Sequence, residues 1–330
     1  MRIETRQLAG ERVDKLWEVA PLPTPWTIFI DVTNRCNFRC VYCPTGNPDM
    51  IKHVERHTGH MPMDLYRKIV NDMRELDPRP RVVNLYKDGE PLFHPNFVEM
   101  VHVLYDAGVT DRIYTKTNGE LITKNKGLAS APLDMLGISV PHSDPDKIPD
   151  VVGKKVNYQK YIDGIKALYE DSRRSFTINA KMAFYNMTDD DVEKFYHDFE
   201  PICDTVAIEG LHGWGANDLG DMLLGVEVEP HDGSPVVPHL ACPLPLYMMS
   251  INSDGSTAVC CAEWGHFHDL GDVHKESVLD LWNNDKRNAF RLMHLEGRRN
   301  ENMACKDCQY RDTLMDNIDD HLDEMIERMR

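Results

Sequence analysis

Cys36-Asn37-Phe38-Arg39-Cys40-Val41-Tyr42-Cys43 follows directly on Trp26–Val32, a run of apolar and β-branched residues that reads as the first strand. The spacing is C-x3-C-x2-C, so three thiols fall on one tight loop at the carboxyl end of a strand. That is where barrels of alternating strands and helices place their chemistry. Five more β-rich segments follow: Arg81–Tyr86, Arg112–Lys116, Leu133–Val140, Phe176–Phe184 and Thr205–Glu209. Helical patterns lie among them at Met63–Leu76, Asn96–Ala107, Tyr158–Asp171 and Asp189–Glu200. The second of these sets Phe97, Met100, Val101, Leu104 and Tyr105 on one face. Strands alternating with helices imply parallel βαβ units, and the expected fold class is α/β, a partial (β/α)6 TIM-like barrel.

The rest of the chain divides around that core. Residues 1–25 read as a lead-in, 26–220 as the barrel, 221–312 as a cysteine-rich C-terminal domain and 313–330 as a terminal amphipathic helix. Gly220–Leu240 carries Gly, Pro and His with weak periodicity and reads as a linker. Beyond it, Met248–Ile251 and Thr257–Cys260 flank Ser253-Asp254-Gly255, a hairpin pattern. A helix is expected over Ser277–Glu296. In the tail, Leu314, Ile318, Leu322, Met325, Ile326 and Met329 share a face, expected to pack on the barrel, with a dimer contact as the alternative.

The formal charge of −17 disfavours nucleic acid as a partner and would suit a cationic substrate such as an amino sugar. No run of eighteen apolar residues exists, and Met1–Gly10 lacks a signal-peptide core. Neither a membrane partner nor secretion is expected, and the chain reads as cytoplasmic. Its nine cysteines fall mostly in tight groups, which in such a chain favours metal over disulfide.

Three thiolates can ligate three irons of a [4Fe–4S] cubane, leaving the fourth iron open, whereas zinc would want a fourth close Cys or His. The motif after a first strand resembles the signature of the radical SAM superfamily, in which the open iron binds the amino and carboxylate groups of S-adenosylmethionine (SAM). The resemblance extends along the barrel. Tyr42 stands where the family prefers an aromatic whose backbone contacts adenine. Gly89-Glu90-Pro91 resembles the GGEP motif, whose backbone and Glu hold the methionine amino group, with Asp88 in place of the first glycine. Thr117-Asn118-Gly119 is similar to the TNG segment, and Ser139 matches a position that often binds the SAM ribose. The family's strand-five pattern is not recognisable in Ile178–Met182, where Asn179 or Lys181 are the available polar groups. The resemblance implies a 5′-deoxyadenosyl radical that abstracts hydrogen from an unactivated carbon, with SAM and the cluster as cofactors and a flavodoxin- or ferredoxin-like protein as external electron donor.

Cys242, Cys260, Cys305 and Cys308, spaced C-x17-C-x44-C-x2-C, resemble the SPASM/Twitch class of extension. A full SPASM domain carries more cysteines for two auxiliary clusters; this set suits one auxiliary [4Fe–4S] cluster, the Twitch arrangement. A four-cysteine zinc site is the alternative. Cys203 reads as a core residue. Cys261 follows Cys260, and neighbours on a strand point to opposite sides, so one of the two faces away from the cluster. As a free thiol near substrate, Cys261 could deliver a hydrogen atom; as a filler or alternative ligand it would not. His142, Glu209, His212, Trp214, Lys87 and Asp88 lie where they could face substrate.

Four readings of the reaction follow. The first is epimerisation of a small polar, carbohydrate- or aminoglycoside-like substrate with Cys261 as hydrogen donor. The second is dehydrogenation of a secondary alcohol with the auxiliary cluster as electron acceptor. Peptide modification is the third, for which the roughly twenty-five residues before strand one do not fit an N-terminal recognition domain, so a recognition protein in trans would be needed. A non-enzymatic iron–sulfur electron-transfer protein is the fourth.

Overall fold

The computed structural model describes residues 15–211, 213, 214, 224, 236–314 and 316–330. Six parallel strands form the frame: β1 (Thr27–Ile30), β2 (Val82–Asn84), β3 (Arg112–Thr117), β4 (Met135–Val140), β5 (Thr177–Ala183) and β6 (Thr205–Glu209). They lie in sequence order, each hydrogen-bonded in parallel to the next. Right-handed crossovers between sequential strands put their helices on one side, the arrangement of a partial barrel. All six sequence-predicted strands appear, trimmed by a residue or two at most ends. The predicted helices appear as Met63–Asp72, Phe97–Ala107, Tyr158–Tyr169 and Asp189–Phe199.

The C-terminal hairpin, β7 (Met248–Ile251) and β8 (Thr257–Ala258), does not stand apart. β7 pairs in parallel with β1, so the sheet runs β6-β5-β4-β3-β2-β1-β7-β8. The second cysteine group is thereby joined through its hairpin to the strand that leads into the first.

Register separates two faces. Ile28 and Ile30 on β1, Val83 on β2, Ile113 on β3 and Leu136 and Ile138 on β4 are buried with Phe97, Met100 and Leu104 of the outer helices in one core. The partners Phe29↔Asn84↔Tyr114 and Phe29↔Ser250 put Asn84 and Ser250 on the opposite, lumenal face. Alternation along the strands adds Asp31, Tyr86, Lys116, Ser139, Lys181 and Glu209 to it. A greasy outer face and a polar inner one build a container for a polar ligand.

Three expectations need correction. The helix expected over Ser277–Glu296 is two helices, Val278–Asn283 and Asp285–Leu295. Asn284, extended at ψ 158°, ends the first and caps the second by accepting from Arg287 N at 2.8 Å. The apolar period runs through the break, which hides it. The tail is α-helical over Leu322–Met329, with a 3-10 turn at Asp319–His321 before it; Leu314 and Ile318 precede both, although Ile318 and Met325 are fully buried in the main core. The strand expected to reach Cys260 stops at Ala258. The tail also clasps the lead-in, with Trp17 stacked on His321 at 4.7 Å and Arg328 Nη1 donating to Glu18 O at 2.8 Å. Most of the expected 220–240 linker lies outside the described residues. No helix among the described residues is long and apolar enough to cross a membrane.

Candidate active site and auxiliary-cluster site

The cysteine loop is fastened from several directions. Arg39 N and Val41 N donate to Val152 O and Val151 O at 2.9 and 3.0 Å, beyond β4. Below it, Gly89 packs against the backbone that enters the loop: an added Cβ would meet Thr33 O at 2.2 Å and Arg35 O at 2.6 Å. Glu90 N bonds Arg35 O at 2.9 Å. The Glu90 carboxylate accepts from Leu92 N (3.0 Å), Thr117 Oγ1 (2.6 Å) and Asn118 N (2.6 Å). Three donors nearly saturate it. Its work in this structure is to bind the Gly-Glu-Pro turn to the Thr-Asn-Gly turn, leaving little capacity for the methionine contact the resemblance implies. Asn118 in turn bonds Asn37 Oδ1 at 2.8 Å and lies 3.9 Å from Cys36 Sγ. The three motifs after β1, β2 and β3 therefore form one connected cradle.

Burial pushes the Cys36 thiol up to about 12, and raises Cys40 and Cys43, with Glu90 raising Cys36 and Asp88 raising Cys43 further. Such thiols stay protonated until a metal takes them. Together with the side-chain-free cradle at Gly89, the donor set fits a SAM-binding cluster. Tyr42 O accepts from Trp214 Nε1 at 2.9 Å, and the Tyr42 ring meets Tyr185 edge-on. Ser139 is exposed to the lumen on β4.

Asp88, where the resemblance has glycine, is the hub of a buried ionic network. Its Oδ2 accepts from Arg56 Nη2 and Lys87 Nζ at 2.9 Å each and faces His266 Nε2 at 3.1 Å. Those cations hold its carboxyl well below the usual range against the opposing cost of burial. Arg56 also donates to Trp264 O (2.7 Å) and stacks on the Trp264 ring (4.5 Å), while Lys87 donates to Glu263 O (2.9 Å). Trp264 Nε1 reaches Thr45 Oγ1 at 2.7 Å, and Thr45 donates to Asp88 O at 2.7 Å. The network thus joins the cysteine loop, the β2 turn and the segment just after Cys260 and Cys261. Sequence reasoning raised Lys87 as a substrate contact and Asp88 as a motif replacement that could also face substrate, and missed Arg56, Trp264 and His266, whose stretches carry no motif.

At the other end, Cys242, Cys260, Cys305 and Cys308 line one cavity, with His294, Arg299 and Arg311 among the other walls. Among the described residues no three Cys, His, Asp or Glu side chains converge closely enough to hold a single ion. The four thiols surround a space rather than a point, which fits a polyatomic cluster better than tetrahedral zinc. Burial raises all four, and only capture of a cation releases their protons. Cys261 is not among the lining residues. Burial pushes its thiol up to about 11, while Lys87 and Lys116 pull it down, and it in turn raises the thiols of Cys242 and Cys260.

The remaining residues sort readily. His142 is 1% exposed, accepts from Asp144 N at 2.9 Å and meets Asn186 O at 3.3 Å, the pattern of a satisfied core histidine. Lys181 and Glu209 pair at 2.9 Å between the adjacent strands β5 and β6 on the lumenal face. Asn179 sits deeper, donating to Met135 Sδ at 3.0 Å. Cys203 is buried in the main core. His212 lies outside the described residues.

Comparison with known proteins agrees with this geometry. Residues 30–199 match the Radical SAM superfamily, and residues 242–309 match the SPASM iron-sulfur cluster-binding domain. The S-adenosyl-L-methionine-dependent 2-deoxy-scyllo-inosamine dehydrogenase of Niallia circulans is 23% identical over 283 residues, 85% of this chain and 91% of that one. A tungsten-containing aldehyde ferredoxin oxidoreductase cofactor-modifying protein of Pyrococcus furiosus is 32% identical over 115 residues, 34% of this chain and 30% of that one. Among solved structures, BtrN in complex with AdoMet and 2-DOIA shares the fold at TM-score 0.56 and 19% identity, over 86% of this chain and 92% of that one. Streptococcus suis SuiB bound to S-adenosylmethionine does so at TM-score 0.64 and 15% identity, over 92% and 75%. SAM with a [4Fe–4S] cluster, and auxiliary iron–sulfur in the C-terminal part, follow as the cofactors of an enzyme, because the chain belongs to the Radical SAM superfamily and carries a SPASM-type iron-sulfur cluster-binding domain.

Proposed function

We propose that Cys36, Cys40 and Cys43 hold the SAM-cleaving cluster, that Cys242, Cys260, Cys305 and Cys308 hold one auxiliary [4Fe–4S] cluster, and that the enzyme epimerises a small polar, carbohydrate-like alcohol with Cys261 as hydrogen donor. The place of Cys261 supports this reading: it is not among the residues that line the auxiliary cavity, and Lys87 and Lys116 act on its thiol. The lumen supports a polyhydroxylated or amino-bearing substrate, since Lys116, Ser139 and the Lys181–Glu209 pair face it. Gly89, Glu90 and Asn118 orient SAM by fixing the turns around it, with Tyr42, Pro91 and Ser139 beside them.

SAM and its reduced cluster, when bound, supply a 5′-deoxyadenosyl radical that removes a hydrogen atom from a substrate carbon. Cys261 then returns one from the opposite face: its S–H bond breaks, a C–H bond forms, and the centre inverts. The sulfur left with an unpaired electron becomes a thiol again on taking one electron, from the external flavodoxin- or ferredoxin-like donor, and one proton. Lys87 and Lys116 beside it stabilise negative charge that develops there.

A second reading is favoured by the Niallia circulans relative, whose name describes a dehydrogenase. There the substrate radical loses a proton and one electron, the auxiliary cluster being the acceptor, and a ketone forms. Reaction with a panel of aminocyclitols and aminoglycosides in D2O separates the two. An inverted product carrying solvent deuterium at one carbon means epimerisation; a carbonyl product without deuterium means oxidation. Cys261→Ala is expected to form 5′-deoxyadenosine but no inverted product. Inversion at the normal rate in that variant refutes the donor role.

A further inference from the structure

The helix Asp285–Leu295 buries a basic face. Arg287, Arg291 and His294, at positions i, i+4 and i+7, are 1%, 3% and 1% exposed. Arg287 Nη1, Arg291 Nη2 and both ring nitrogens of His294 have no hydrogen-bond partner. Buried N–H groups are rarely left so, and buried guanidiniums are normally paired. The carboxylate facing Arg287 is Glu263, already bonded to Val259 N (3.0 Å) and His268 Nδ1 (2.8 Å). Trp282 stacks on Arg291 at 3.9 Å, which covers the guanidinium face but not its N–H edge.

What these groups share is the auxiliary cavity. His294 lines it with the four cysteines. Arg291 Nε donates at 3.1 Å to the carbonyl of Pro245, another lining residue. Arg287 approaches Ala258 O at 3.5 Å, beside lining Val259. An iron–sulfur cluster with four thiolates is a polyanion whose sulfurs accept hydrogen bonds, and such bonds, with nearby charge, set its potential. An imidazole has at least one N–H in either protonation state.

We propose that His294 donates its N–H to a sulfur of the auxiliary cluster and, backed by the buried charges of Arg287 and Arg291, raises the cluster's reduction potential. His294 acts through the cluster, as a positioning and tuning residue rather than a catalytic one. The bias toward the reduced, more negative form follows because a donor and two cations stabilise that form more. The proposal rests on the assignment of Cys242, Cys260, Cys305 and Cys308 to an auxiliary cluster.

The test uses full-length, anaerobically reconstituted protein in which Cys36, Cys40 and Cys43 are replaced by Ala, so that the auxiliary signal stands alone. If that protein binds no iron, the auxiliary-cluster assignment fails. If it binds a cluster, EPR-monitored potentiometry compares His294 with His294→Leu and His294→Gln. The reduced-to-oxidised ratio at fixed potential should fall about tenfold in the Leu variant, a 59 mV shift for a one-electron couple. The Gln variant, which keeps an N–H, should recover most of it. An unchanged potential in His294→Leu overturns the proposal. Should that variant fail to load iron, the parent labelled with 15N-histidine decides. Pulsed EPR of its reduced cluster should show a weak imidazole-nitrogen coupling. No coupling, or one strong enough for a nitrogen bound to iron, overturns it.

Discussion

Asp88→Asn tests the junction between the two cofactor sites. The Asp88 carboxylate, with no exposed side-chain area, meets two cations whose side chains are 3% and 0% exposed, Arg56 and Lys87, both at 2.9 Å. The amide keeps the shape and removes the charge. Arg56 retains Trp264 O and its ring contact, and Lys87 retains Glu263 O, so neither loses every partner. Two cations nevertheless stay buried beside one fewer anion, and breaking a buried pair from one side costs about 3–5 kcal/mol. Urea unfolding under anaerobic conditions, followed by tryptophan fluorescence, should show a loss of that size. Adding Lys87→Met removes one stranded cation, so the double variant should be about 1–3 kcal/mol more stable than the sum of the single effects. A neutral Asp88→Asn, or strictly additive variants, would refute the account of Asp88 as an ionic hub.

Gly89→Ala would drive a Cβ into Thr33 O and Arg35 O, so the cysteine loop must shift; iron at the SAM site and 5′-deoxyadenosine formation should both fall sharply while the auxiliary cluster remains. Cys305→Ala should lower bound iron from about eight to about four per chain, measured with acid-labile sulfide; no change would remove Cys305 from the ligand set. Asp31, fully buried with Oδ2 unpartnered, has its carboxyl pushed up to about 7 by burial and by Asp88. The folded chain therefore holds a proton that the unfolded chain releases between about pH 4 and 7, so stability falls as pH rises through that window, by on the order of 4 kcal/mol. Asp31→Asn should flatten that part of a stability-versus-pH curve, and an unchanged slope would argue against it.

The family was legible in the chain because its motif is local: Cys36, Cys40 and Cys43, the candidate ligands, share eight residues after an apolar strand. The six parallel strands were legible for the same reason, since β-branched runs and helical periods are short-range signals. Gly89-Glu90-Pro91 and Thr117-Asn118-Gly119 could be seen as segments, but not as one cradle. Their joining hydrogen bonds run from Glu90 to Thr117 and Asn118, across 27 and 28 residues. Asn284 escaped notice because a residue that ends one helix and caps the next leaves the apolar period unbroken.

Tertiary structure alone decided the rest. It paired β7 with β1, and so joined the hairpin of the second cysteine group to the strand that leads into the first. It put Cys260 among the residues that line the auxiliary cavity and left Cys261 out of that lining, where alternation offered both possibilities. It gave Asp88 partners 32 and 178 residues away, and left His294 buried without one. Which radical the protein makes is written in local spacing. What that radical meets is set by side chains from distant segments, whose burial and charge exist only once the chain has closed around them.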